Sequence, residues 1–244
     1  MKKYLIVMFL FAIPLSAHGY VGKIVKATGR VEVVRKDTFK GIFWKKIRGI
    51  FDVGDVVRTK RRSKATINFI DKSSVTMLES SRLIVERYIP SGTVAVENPY
   101  GKVVYKIVKR TRGKFIIKTP VAIIGVKGTE LFVDSSINRV TVIVNSGLVE
   151  VKNLFYPQKL IEVKKGEMIT IYPVRKLFYP KIAPEEVLKK IFYERESAEK
   201  TEYPSLTPYN GKEEEIMEEM DVEKPEKSRA NFNIEIPDTS IEGL

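Results

Sequence analysis

The side chains that most often drive enzyme chemistry are almost absent from this sequence. It contains one histidine, His18, and no cysteine. A Ser-His-Asp or Cys-His nucleophile, a zinc site of His and Cys ligands, and a disulfide each need an imidazole or a thiol. Carboxylate-only chemistry stays open, as a glycosidase pair or an oxygen-ligand cation site. No acidic cluster has the EF-hand spacing, so calcium gains no support. The reading is a non-enzymatic chain with no cofactor and no metal. The residue group best suited to binding is the stretch Phe39 to Phe51, which is aromatic, basic and glycine-punctuated and holds the only tryptophan. Within it Phe43, Trp44, Lys45 and Lys46 would offer an aromatic face beside cations, which suits a sugar or a lipid head group. The same stretch reads equally as a hairpin folded onto the core, since aromatic side chains tend to bury.

The elements that would position such a loop are strands. From Val21 to about Pro173 the chain alternates apolar and polar residues with period two. Val31 and Val33 flank Glu32, Ala65, Ile67 and Phe69 alternate up to Asp71-Lys72-Ser73, and Val140, Val142 and Val144 lead to Asn145-Ser146-Gly147. Val149 and Val151 follow, then Ile169 and Ile171 after Lys165-Gly166. Turn residues recur about every 8–12 positions, the pattern of an all-β sandwich, jelly roll or β-solenoid. Tyr88 to Gly113, broken by Pro90, Gly92, Pro99 and Gly101, reads as a loop or hairpin before a strand at Val103 to Val108. Pro184-Glu185-Glu186 opens a helix, with Pro at its first turn and carboxylates at the positive dipole end. Its stripe of Val187, Leu188, Ile191 and Phe192 would pack on the β domain.

The N-terminus predicts export. Met1-Lys2-Lys3 precedes an apolar run from Tyr4 to Ile13, then Ser16-Ala17-His18-Gly19, the layout of a secretory signal peptide cut after Gly19. The run is short of the roughly 20 residues that an ordinary membrane span needs, leaving an uncleaved anchor as the alternative. No cysteine stands near the cut, so a lipid anchor is excluded. Removing the signal also removes His18. The expected organisation is a signal peptide at 1–19, a β domain at 20–180, a packing helix at 181–200 and a disordered acidic tail at 201–244. Formal charge is +13 overall but divides unevenly, at −9 over residues 194–244 and +22 over the remainder. In an exported protein the polyanions within reach are acidic glycans, lipid head groups and the chain's own tail, and nucleic acid is not the expected partner. Within the tail Phe232, Ile234 and Ile236 alternate like a strand that could add to a sheet edge. A single glutamine, no cysteine and abundant Lys, Glu, Ile and Val give a thermophile-like composition.

Several motifs fall in a recognisable order. Gly54-Asp55-Val56-Val57-Arg58-Thr59 precedes the strand ending at Asp71, and Ser81-Arg82-Leu83-Ile84-Val85 follows. Thr119-Pro120 then leads through an apolar stretch with Gly125 to Lys127-Gly128-Thr129-Glu130-Leu131, with Val142 to Val151 and Val163 to Glu167 beyond. This series resembles the FecR domain family over roughly Gly54 to Ile171, with Val21 to Val34 as its leading strand. The chain departs from the family pattern at Lys127 in place of Arg, Leu131 in place of Phe, and Lys72 in place of a turn glycine. A looser turn is therefore expected at Lys72. Pro120 belongs at a strand start or edge, Gly125 and Gly128 permit a bulge or positive φ, and Glu130 is placed to pair with Lys127 or Arg58.

The resemblance implies a periplasmic protein. Its namesake type relays a receptor signal to a cytoplasmic sigma factor through an N-terminal domain, for which three residues before the apolar run leave no room. The expectation is a free-standing exported module acting through an envelope protein partner, in signalling or assembly. The alternative is a glycan- or anionic-lipid-binding domain using the Trp44 loop.

Overall fold

The computed structural model describes residues 20–89, 92–157, 160–174 and 178–193. The segments read as signal peptide and acidic tail, Phe232, Ile234 and Ile236 among them, lie outside the described residues. Two compact units divide the chain after Lys181.

The first unit is built from strands. These are β1 (Gly22–Thr28), β2 (Val31–Val34), β3 (Gly41–Phe43), β4 (Ile50–Phe51), β5 (Val56–Thr59), β6 (Lys64–Phe69), β7 (Ser74–Met77) and β8 (Arg82–Tyr88). The chain continues with β9 (Val94–Lys106), β10 (Phe115–Lys118), β11 (Ala122–Val126), β12 (Glu130–Ser136), β13 (Arg139–Ser146), β14 (Leu148–Asn153), β15 (Leu160–Lys164) and β16 (Glu167–Ile171). Registers arrange them in two sheets. One runs β4-β1-β6-β7-β9-β12-β13-β16. The other runs β3-β2-β5-β8-β9-β10-β11-β14-β15. The described pairings are antiparallel, except for β9 with β10.

The repeating unit is a ribbon that begins in one sheet and ends in the other. β1/β2, β5/β6, β7/β8 and the two halves of β9 turn at Gly29, Arg62, Ser80 and Gly101, all with positive φ. These four turns form one rim. β11/β12, β13/β14 and β15/β16 turn at Gly128, Gly147 and Gly166, again all positive. Registers place this second set on the opposite side, because Glu130 lies across from Lys106 while Ser135 lies across from Gly101. β3 and β4 make an outermost ribbon whose corner is a 3-10 turn at Trp44–Ile47, closed by left-handed Arg48. The Asn145-Ser146-Gly147 turn is thus a crossing point between the sheets.

Folding the ribbons over buries one continuous core between the sheets. An aromatic line crosses it: Phe51 packs edge-on to Phe69 at 5.8 Å, Phe69 edge-on to Phe115 at 5.9 Å, and Phe115 against Tyr105 at 6.3 Å. Edge-to-face rings at these separations add to the gain from burial alone.

Two expectations are corrected. Residues 94–106 form a single strand rather than a loop leading to a strand at Val103. Pro99 is tolerated because neither Asn98 nor Pro99 has a register partner on β8, β10 or β12, so no ladder N–H is lost there. Gly101, at φ 102°, then bends the strand into the other sheet. The Lys72 turn is not loose either. Lys72 takes φ 68°, its N–H reaches Phe69 O at 3.0 Å, and the Phe69 N–H reaches Ser73 O at 2.9 Å. The absent glycine is replaced by backbone strain in a closed turn.

In the second unit, helix α1 (Glu185–Leu188) starts behind Pro184 with Glu185 and Glu186 in its first turn. A wider π-type turn follows over Lys189–Tyr193, burying Ile191 and Phe192. Among the described residues, no helix is long and apolar enough to cross a membrane.

Candidate interaction surface

The Thr-Pro and Gly-Thr-Glu residues singled out above serve the corners and turns of the second half. Thr119 closes the tight β10–β11 turn. Its hydroxyl donates to Ala122 O at 2.8 Å, the Ala122 N–H donates back to Thr119 Oγ1 at 3.0 Å, and Pro120 stands between them. Gly128 turns from β11 to β12, and a Cβ there would meet Lys109 backbone and side chain at 2.9 and 2.8 Å. The Thr129 hydroxyl donates across the next corner to Leu148 O at 2.9 Å. Glu130 accepts the Asn145 side-chain amide at 2.7 Å, in place of the expected pairing with Lys127 or Arg58. Gly125 has an ordinary φ, and a Cβ would find only Glu150, at 3.5 Å. The motif's polar atoms are spent on holding ribbons together.

The first rim is electrostatic. Glu32, on β2, has a side chain only 5% exposed, reached by three cations. Arg30 Nε donates at 2.7 Å, Arg58 Nε at 2.8 Å, and Lys60 Nζ lies at 3.7 Å. Burial alone would raise its carboxyl. The hydrogen bonds from Arg30 and Arg58, with the attraction of Arg58 and Lys60, outweigh burial and hold it below the usual carboxylate range. Gly41 of β3 fits beneath this knot, since a Cβ would sit 2.6 Å from both the Arg58 guanidinium and the Glu32 carboxylate. At the far end of the β2/β5 pair from this rim, Asp55 is clamped by the Arg35 guanidinium and by the backbone N–H groups of Lys36 and Asp52 at 3.0 and 2.9 Å.

Phe43, Trp44, Lys45 and Lys46 come together at the outermost corner of the same rim. Phe43 ends β3 opposite Glu32, and the 3-10 turn follows directly. Gly49 N–H closes onto Trp44 O at 2.8 Å, and the Ile24 N–H reaches Gly49 O at 2.9 Å. Trp44 and Ile47 are partly buried and pack against the core, whereas Lys45, Lys46 and Arg48 are exposed. The indole is therefore a wedge under the corner, and the cations are what it presents. Across the neighbouring ribbons stand Arg30, then Lys60, Arg61 and Arg62, with Arg62 N–H bonded to the Glu79 carboxylate at 2.7 Å.

The described registers of the second sheet end at β15, which pairs with β14. Leu154, Phe155 and Leu160 are exposed around that hairpin. Sequence reasoning missed both this apolar edge and the Glu32 knot. Single residues such as Leu160 carry no pattern of their own, and strict alternation puts Glu32 on an outward face. Among the described residues, no group of three or more His, Cys, Asp or Glu could hold a metal ion.

Residues 55–150 match the family model described as FecR protein, and they carry both the Thr119-Pro120 turn and the Gly128-Thr129-Glu130 corner. Two crystal structures of a candidate anti-sigma factor from Parabacteroides distasonis resemble part of this chain. One, at 1.65 Å, is 15% identical with TM-score 0.48, covering 55% of this chain and 63% of that one. The other, at 2.50 Å, is 16% identical with TM-score 0.49, covering 55% and 62%. The chain thus spans less than two thirds of the length of these structures. No curated protein matches it by sequence.

Proposed function

We propose, from the FecR domain at residues 55–150 as premise, that this chain is an exported, non-catalytic regulatory module acting through an envelope protein partner. The family is a regulatory one rather than an enzymatic one. The observation that carries the reading is the employment of the family motif: Thr119, Thr129 and Glu130 spend their polar groups on backbone and Asn145, and Gly128 makes a turn with no room for a Cβ. Such a motif builds a scaffold that displays surfaces. Of those surfaces, β15 with Leu154, Phe155 and Leu160 exposed around it has the character of a protein docking site, because a strand at the end of a sheet offers backbone donors and acceptors beside apolar side chains. The segment after Tyr203 would serve as a tether.

The test is affinity capture by the mature chain from its own envelope fraction, repeated with a Leu154→Lys, Leu160→Lys variant. Both side chains are exposed, so the melting temperature should stay unchanged. The reading expects one protein retained by wild type and lost from the variant, and weaker retention after truncation beyond Tyr203. Equal retention by wild type and both variants, or no retained protein, would remove it.

A further inference from the structure

The first rim carries cations that the protein-docking reading does not use. The geometry points to this rim as a binding site for a linear acidic polysaccharide, one bearing carboxylate or sulfate groups along its length.

The argument begins from the corner positions. The ribbons β3/β4, β1/β2, β5/β6 and β7/β8 follow one another in the same order in both sheets. Adjacent strands lie about 4.8 Å apart, so the corners form a line rather than a scattered patch. On it stand Lys45 and Lys46, then Arg30, then Lys60, Arg61 and Arg62. Two acids accompany them. Glu32 is buried and shared among Arg30, Arg58 and Lys60, one negative charge against three positive. Glu79 is occupied by the Arg62 N–H. Lys45, Lys46 and Arg61 have no carboxylate within ion-pair distance among the described residues. The rim is therefore net positive, exposed and held in place by backbone corners, Arg62 and Ser80 both taking positive φ there.

Charge and shape select among polyanions. Guanidinium groups fit planar carboxylate and tetrahedral sulfate through paired N–H donors. A membrane surface would call for apolar side chains to insert beside the cations. Trp44 and Ile47 instead turn inward onto the core, and the fully exposed Phe39 lies at the other end of β3. Single-stranded nucleic acid would call for exposed rings on which successive bases stack, whereas the rim's half-exposed rings, Phe43 and Tyr100, stand at opposite ends of the row of corners. A charged sugar chain laid across the ribbons needs neither.

The experiment uses the mature chain with heparin and polygalacturonate as probes. A 20-mer DNA and phosphatidylglycerol vesicles are compared at the same ionic strength. The triple variant Lys45→Gln, Lys46→Gln, Arg61→Gln removes three rim charges, and a control variant Lys152→Gln, Lys164→Gln, Lys165→Gln removes three from β14 and the β15/β16 corner. The expected result is saturable polysaccharide binding that weakens by about tenfold or more in the rim variant, with a shallower salt dependence, and much less in the control. Equal loss in the two variants would overturn the proposal, leaving non-specific attraction. Tighter binding to DNA or vesicles than to either polysaccharide would overturn it too, as would no change in the rim variant. The double variant Lys45→Gln, Lys46→Gln decides the matter if the triple variant melts early. None of these outcomes bears on the β15 edge.

Discussion

Glu32 joins three parts of the first rim, because the cations it holds come from the β1/β2 corner, β5 and the segment after β5. Replacing it with glutamine leaves Arg58 and its neighbours without their counter-charge. Since Arg30 and Lys60 are well exposed and solvent screens them, the expected cost of Glu32→Gln is about 1–3 kcal/mol. The folded pKa is depressed, so this contribution is fully present above the ordinary carboxylate pKa and is lost as pH falls through the folded value. Urea midpoints of wild type and variant should differ at neutral pH and converge in acid; a gap independent of pH would contradict the assignment. Lys72 offers the opposite case. Held at φ 68°, it should gain up to about 1 kcal/mol on conversion to glycine, visible as a raised melting temperature. Its substitution was legible in sequence, but the response of the turn was not, since closing it depends on the β6–β7 ladder. Glu32 was hidden for a related reason. Val31-Glu32-Val33 shows a strand with a polar outer face, and nothing local announces that Arg58 will cover that face from 26 positions away.

At the scale of elements, the ribbon corner is the device that makes two sheets from one meandering chain. Gly128 and Gly125 test it, being three residues apart with different demands. Gly128→Ala places a methyl against Lys109 at positive φ and should cost about 1–3 kcal/mol, whereas Gly125→Ala finds ordinary contact with Glu150 and should cost less than about 1 kcal/mol. Chemical denaturation of the two variants side by side checks this; similar losses would mean that Gly128 is not a corner. Most strands were readable because one face of each meets the core, which imposes period two on Ala65 to Phe69, Val140 to Val144 and Val149 to Val151. β9 was not readable, because Pro99 and Gly101 are ordinarily breakers. Their places in this strand are a gap between ladders and a corner, and only the register of β8, β10 and β12 reveals that.

For the whole molecule, charge is the property that the sequence displays most openly and localises least. A body at +22 and a terminal segment at −9 predict attraction between them, screened by salt. Limited proteolysis of residues 194–244 should therefore speed up as ionic strength rises, and a rate indifferent to salt would remove that attraction. Composition could not show that Lys45, Lys46, Arg30 and Arg61 share one rim, since that depends on the order of ribbons. Nor could it show that β15 ends a sheet. The claim on which the functional account turns is that this edge meets a protein. A photo-cross-linking residue placed in the intact cell at Glu162 or Leu160 tests it most directly, with Thr38 as an exposed control on the β2–β3 loop. The account predicts a discrete adduct with one other protein from both edge positions and none from Thr38. No adduct from the edge, or the same adducts from all three positions, would contradict it.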